Sequence, residues 1–135
     1  NSGHYVEAAQ RYLEAKERFL LRAENWATAT ARAFMLLTQD ECAEVAKPAW
    51  WNDEEIKGLS VRVARAAPDQ LEANQMRAFV LSGLTDAWET EPRSAAELKE
   101  AATQYERATA LCPAPAMKAM FTGGAEWCRR QADAV

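Results

Sequence analysis

Acid–base and nucleophilic chemistry need an imidazole, an activated thiol or paired carboxylates, and this chain offers few of them at useful spacing. Its one histidine, His4, stands at the very start of the chain, so a solvent-exposed side chain is expected there and a histidine-based acid, base or triad is not. Cys42, Cys112 and Cys128 are odd in number and far apart, which suits reduced, buried thiols in the cytoplasm or another reducing compartment better than a disulfide framework. No short-spaced set of Cys and His suggests zinc. The carboxylates of "QDECAE" and "NDEE" lack the alternating ligands and obligatory glycine of a calcium loop, and read as charges at helix N-termini. "TGGAE" lacks the lysine and the preceding strand of a phosphate-binding loop. The expectation is a protein without a catalytic centre, a metal or a cofactor.

Recognition chemistry has more to work with. Trp50 and Trp51 are adjacent, and adjacent side chains point in different directions, so one is free to enter a core while the other stays near the surface. Two readings stand: both rings cover a short neighbouring helix, or the pair is an aromatic anchor for a partner, since Trp is enriched at binding hot spots.

The elements that position these residues are helical. Alanine is abundant, Gly and Pro are scarce, and Val and Ile rarely cluster, so strand-forming runs are almost absent. The length suits one domain over residues 1–135. Sixteen basic against twenty acidic residues leave a net charge of −4, which argues against a generic nucleic-acid binder. No apolar stretch is long enough for a membrane span. The chain opens on Asn1 without an initiator Met, and the expectation is of a trimmed chain whose targeting segment has been removed.

Spacing and punctuation predict six to seven helices. The first, from about His4 to Ala23, carries the stripe Tyr5, Ala8, Tyr12, Ala15, Phe19. Asn25 is predicted to cap a second helix, Trp26 to Gln39, and a third, Asp40 to Lys47, stops before Pro48. Asn52 or Asp53 caps a fourth through about Ala66. A fifth runs from Pro68 and Asp69 to about Trp88. Ser94 and Glu97 form a capping box for the sixth. In the last helix, from about Ala116, Gly123 and Gly124 predict a kink, a break or a close helix contact. The connections read as short, which favours antiparallel neighbours.

"EAAQRYLEA" at Glu7–Ala15 and "EAATQYERA" at Glu100–Ala108 share Ala, three residues, Tyr, two residues, Ala. The alanines let a neighbouring helix come close while the tyrosine fills the gap between turns, and two copies suggest a repeat. Gly3, Tyr5, Glu7, Ala8, Tyr12 and Ala15 resemble the second helix of a tetratricopeptide repeat. Ala101, Tyr105, Ala108 and Pro113 resemble the same helix with its closing proline, and Trp26 stands where the next repeat opens. Thr30 replaces the usual glycine, and Pro68 to Pro113 exceeds the usual repeat length. More narrowly, Ala8, Tyr12, Ala15, Phe19, Asn25, Trp26 and Phe34 are similar in order to the opening helices of soluble NSF-attachment proteins.

The resemblance implies an all-α, right-handed α-solenoid of antiparallel helix hairpins, part of a longer array or larger assembly, with a helix missing before Asn1. It also implies a non-catalytic interaction module or adaptor holding a protein partner's peptide or helix on a concave face. Glu24, Ala27, Ala31 and Phe34 would face that groove, as would Glu72, Gln75 and Phe79, with Asn74 and Arg77 as polar contacts. The competing expectations are a structural subunit of a larger complex, with an apolar patch of its own, and a helical-bundle enzyme or ligand carrier with a closed polar pocket.

Overall fold

The computed structural model describes residues 2–135, with side chains from Val6 onward except that of Lys16. Among these residues are five α helices, α1 (Ser2–Leu37), α2 (Asp53–Ala66), α3 (Leu71–Ser82), α4 (Ala95–Leu111) and α5 (Pro115–Ala134), and one 3₁₀ turn at Asp40–Cys42. The protein is all-α. Each helix packs on the next in sequence, and α1 also touches α3.

α3 is the centre. Ala73, Met76 and Val80 pack with Ala27, Ala31 and Phe34 of α1 and Ile56, Leu59 and Val63 of α2. Ala78 and Leu81 instead join Ala101, Ala102, Tyr105 and Ala108 of α4 and Phe121, Ala125 and Cys128 of α5. Because both sides of α3 are covered, it has no strongly polar face, unlike the amphipathic helices around it. Polar ties reinforce the stack. Arg77 on α3 donates to the Lys57 carbonyl and Ser60 Oγ on α2, and to Glu100 on α4 at 2.8 Å.

Several boundaries depart from the sequence reading. The first two predicted helices are one 36-residue helix. Asn25 costs such a helix only tenths of a kcal/mol, and no Gly or Pro near it forces a break. The predicted third helix shrinks to one turn, with Lys47 Nζ donating to the carbonyl of Cys42 at its end and that of Val45 beyond it. Residues 38–52 are therefore a long connection, not a short one. α3 stops at Ser82, well before Trp88, because Gly83 turns left-handed with φ of 69° and ends the helix without the cost a Cβ would carry. The Asn52 cap and the Ser94–Glu97 capping box are both present.

α5 runs unbroken through its glycine pair, so of the three predicted outcomes a close contact is the one found. A Cβ at Gly124 would lie 3.1 Å from the Tyr105 ring, whereas one at Gly123 would meet nothing. Gly123→Ala is accordingly expected to stabilise the protein by about 0.5–1 kcal/mol. Gly124→Ala should forfeit that gain, because Tyr105 is stacked on Phe121 and has little room to yield. Urea midpoints of the two variants check this difference.

The two copies of the repeated sequence have different fates. Ala101, Tyr105 and Ala108 are buried, but the described residues of α1 from Val6 to Arg22 are all exposed. Tyr12 is 71% and Phe19 70% exposed. The stripe thus does not pack on a second helix of this chain. Readings that rest on the side chains of Gly3, His4 and Tyr5 fall outside the described residues.

Candidate functional site

An apolar groove crosses the face formed by α1, α3 and α5. One part, about 370 Å³, is lined by Ala31, Arg32, Met35, Leu36 and Gln39 of α1 and by Glu72 and Gln75 of α3. A second part, about 350 Å³, is lined by Met35, Gln75, Phe79, Leu84, Tyr105, Met120, Phe121 and Gly124. Met35 and Gln75 line both, so the two parts adjoin.

Helix geometry builds this wall. Glu72, Gln75 and Phe79 lie three and four residues apart and share one face of α3. Met35 follows directly on the buried Phe34, at the edge of the α1 face that packs inward. Gly124 lets α5 approach α4 closely enough for Tyr105 to show in the groove. Leu36, Leu84 and Met120 are left largely exposed along it. Unbranched methionines adapt to differently shaped apolar partners.

Polar groups sit at one end. Arg32 Nη2 donates to Glu72 Oε1 at 3.0 Å. Partial burial pushes the Glu72 carboxyl up, but its own backbone amide and Arg32 outweigh that push and hold it below its usual value. Gln75, on the shared wall, is the polar side chain nearest the apolar middle. This arrangement supplies apolar contact area and a few hydrogen-bonding groups, which is the make-up of a recognition groove. Among the described residues there is no cluster of three or more His, Cys, Asp or Glu able to hold a metal ion. All three cysteines are free, and burial pushes the Cys128 thiol up to about 11, away from the reactive thiolate.

The residues singled out from the sequence are divided between groove and frame. Gln75 and Phe79 line the groove, as does Glu72. Phe34 is fully buried, at the centre of an aromatic cluster with Trp51, Trp88 and Phe79 at centroid distances of 5.4, 5.6 and 6.2 Å. Ala27 is likewise in the core, so the face of α1 assigned to the groove is largely the one that packs inward. Trp51 donates from Nε1 to the Ala87 carbonyl, and Trp50 packs against it at 5.6 Å. Both rings are half-buried. Rather than covering a third helix, they brace the long α1–α2 connection against the cluster. Asn74 is buried and donates to the carbonyls of Pro68 and Gln70, holding the turn before α3. Arg77 has its guanidinium committed to α2 and α4.

Sequence reasoning missed Met35, Leu84 and Met120, which fall outside any regular stripe. It also missed the clasp that fixes the α3–α4 connection to the start of α2. Arg93 meets the Asp53 carboxylate with both terminal nitrogens, at 2.7 and 2.8 Å, and donates to the Val80 carbonyl. Trp88 Nε1 and the Glu91 amide also donate to Asp53. The hydrogen bond from Arg93 holds the Asp53 carboxyl far below its usual range, against the upward push of burial. An arginine in the polar run "ETEPRS" carries no local sign of such a role. Compared with family models, curated proteins and solved structures, the chain has no match.

Proposed function

We propose that this protein is a non-catalytic interaction module, a tetratricopeptide-like α-solenoid of helix hairpins that holds an amphipathic helix or apolar peptide of a partner protein. The observation that carries this reading is the pair of adjoining apolar hollows that share Met35 and Gln75. Sequential packing of each helix on the next suits a solenoid, in which neighbouring elements contact only one another. The partner's apolar anchors would lie against Met35, Phe79 and Met120, and its polar groups would reach Gln75 and the Arg32–Glu72 pair.

Leu84→Glu and Met120→Glu test the reading cleanly, because both side chains are about half or more exposed and their replacement should leave stability within about 1 kcal/mol. Each is expected to weaken a partner recovered by crosslinking through Gln75 by about tenfold or more, measured by titration of that purified partner. Unchanged affinity in both variants would reject the groove as the docking face. Phe79→Glu should abolish binding as well, but Phe79 also touches the aromatic cluster, so its thermal melt must be compared. The exposed described residues of α1 between Val6 and Arg22 favour a second reading, a structural subunit within a larger assembly.

A further inference from the structure

Resting on the groove as the docking face, we propose that Trp88 and Arg93 are positioning residues, which meet on Asp53 and thereby hold Phe79 and Leu84 in the groove wall. The connection between α3 and α4 has no backbone framework of its own. Among the described residues, no backbone group from Leu84 to Arg93 bonds to another backbone group, so ties to side chains set its course. One end of it lies in the groove and the other in the clasp. Leu84 lines the second hollow, and its amide donates to Ser82 Oγ, which itself donates to the Phe79 carbonyl at 2.7 Å. Further on, Trp51 donates to the Ala87 carbonyl, and Trp88 donates from Nε1 to Asp53 Oδ1 at 2.9 Å. Arg93 completes the circuit. Its guanidinium reaches from Asp53 to the carbonyl of Val80, the residue after Phe79. Its stem lies over Gly83, where a Cβ would come within 3.1 Å of Arg93 Cγ.

Phe79 is where these ties converge. Its ring lines the hollow, and behind it Trp88 and Phe34 meet it edge-on at centroid distances of 6.0 and 6.2 Å. Trp88 also packs on Phe34 and Trp51, so the indole is fixed by its ring in the cluster and by its nitrogen on Asp53. Without Asp53 as acceptor the indole is free to tilt, and Phe79 loses the surface it leans on. Without Arg93 the Val80 carbonyl loses its partner, and the last turn of α3, from which Phe79 and Leu84 both hang, loosens with it. Close-packed interiors transmit such shifts because neighbouring side chains have no free space to absorb them. A chain of packed rings and hydrogen bonds of this kind couples two sites by roughly two- to thirtyfold in affinity.

The four methionines, labelled at the ε-methyl carbon and assigned by substitution, read the groove by NMR without a partner. Met35 and Met120 line the same hollow as Phe79, whereas Met117 packs on the other core. The double variant Asp53→Leu, Arg93→Met removes the clasp and leaves no buried charge behind. Its Met35 and Met120 resonances are expected to move while that of Met117 stays. The partner recovered by crosslinking through Gln75 is expected to bind this variant about tenfold more weakly. Trp88→Phe keeps a ring beside Phe79 but offers Asp53 no donor, so it should move the Met35 resonance too, and it decides the outcome if the double variant does not fold. Val63→Ala weakens the first core at the far end of α2 from Asp53 and should leave that resonance in place. Native Met35 and Met120 resonances in the folded double variant or in Trp88→Phe would overturn the proposal. So would an equal shift in Val63→Ala, which would show that the methyls follow stability. Unchanged affinity of the double variant for a partner that Leu84→Glu does weaken would overturn it as well. Because the methyl signals need no partner, their silence rejects the positioning role alone, whereas unchanged affinity in both Leu84→Glu and Met120→Glu rejects the groove.

Discussion

Arg93→Ala is expected to cost about 3–5 kcal/mol of stability and to lower the melting temperature by roughly 10–20 °C. The side chain is almost fully buried, and its removal leaves the buried Asp53 carboxylate with only the Trp88 and Glu91 donors and the Lys57 ammonium at 3.8 Å. The Val80 carbonyl, at the end of α3, loses its partner as well. Thermal or urea unfolding measures the loss, and a change below about 1 kcal/mol would show that the clasp is not a structural centre. Replacing both partners together, as Asp53→Leu with Arg93→Met, should recover part of the loss, because no uncompensated charge then remains buried.

The clasp also sets a pH dependence with a definite sign. The Asp53 carboxyl titrates below its ordinary value of 3.8 in the folded protein, so on acidification the unfolded chain takes up its proton first. The stability this group contributes is fully present above the ordinary carboxylate range and is lost as pH falls through it toward the depressed folded value. Urea midpoints between pH 7 and pH 3 should therefore fall more steeply for the native protein than for Arg93→Ala. In that variant burial opposes ionisation without the guanidinium to offset it, and protonation becomes a relief.

The second large effect is expected at Phe34. Phe34→Ala should cost about 3–5 kcal/mol, since a fully buried aromatic ring leaves a cavity that its neighbours fill only in part. Its location makes the loss regional. Among the described residues, Phe34 is the one large, fully buried side chain that α1 contributes, beside Ala27 and Ala31. Without it α1 is held to the body only by alanines, the partly buried Met35 and the Arg32–Glu72 pair. Amide exchange should accelerate through residues 27–37 while α4 and α5, whose contacts form the other core, keep their protection. Uniform loss of protection across all five helices would mean that the two cores unfold as one.

Local chemistry was legible wherever a short motif closes its own hydrogen bonds. The Asn52 cap and the Ser94–Glu97 box involve residues three apart, so their sequence pattern is nearly their structure. Boundaries went astray where competing local signals were weak. Asn25 is as compatible with a helix interior as with a cap, and Gly83 stands inside a pattern that otherwise continues to Trp88. Gln75 and Phe79 were assigned through the repeat resemblance and line the groove, but Arg77, two residues from each, was assigned to the same surface. Two residues turn a helix by about 200°, which carries its guanidinium away from the groove to Ser60 and Glu100.

By itself, the sequence determined an all-α chain, the caps that start its helices, and an apolar stripe on the first of them. These follow from propensity, periodicity and bonds between near neighbours. Tertiary structure decided which stripe is buried. The pattern Ala, Tyr, Ala occurs in both α1 and α4, yet only the copy in α4 meets another helix of this chain, because Gly124 allows α5 to close on Tyr105. It also decided that Asp53 and Arg93, forty residues apart, share one buried site, and that Met35, Phe79 and Met120 line one groove. Those outcomes depend on which helices come together, and no short stretch of sequence contains that information.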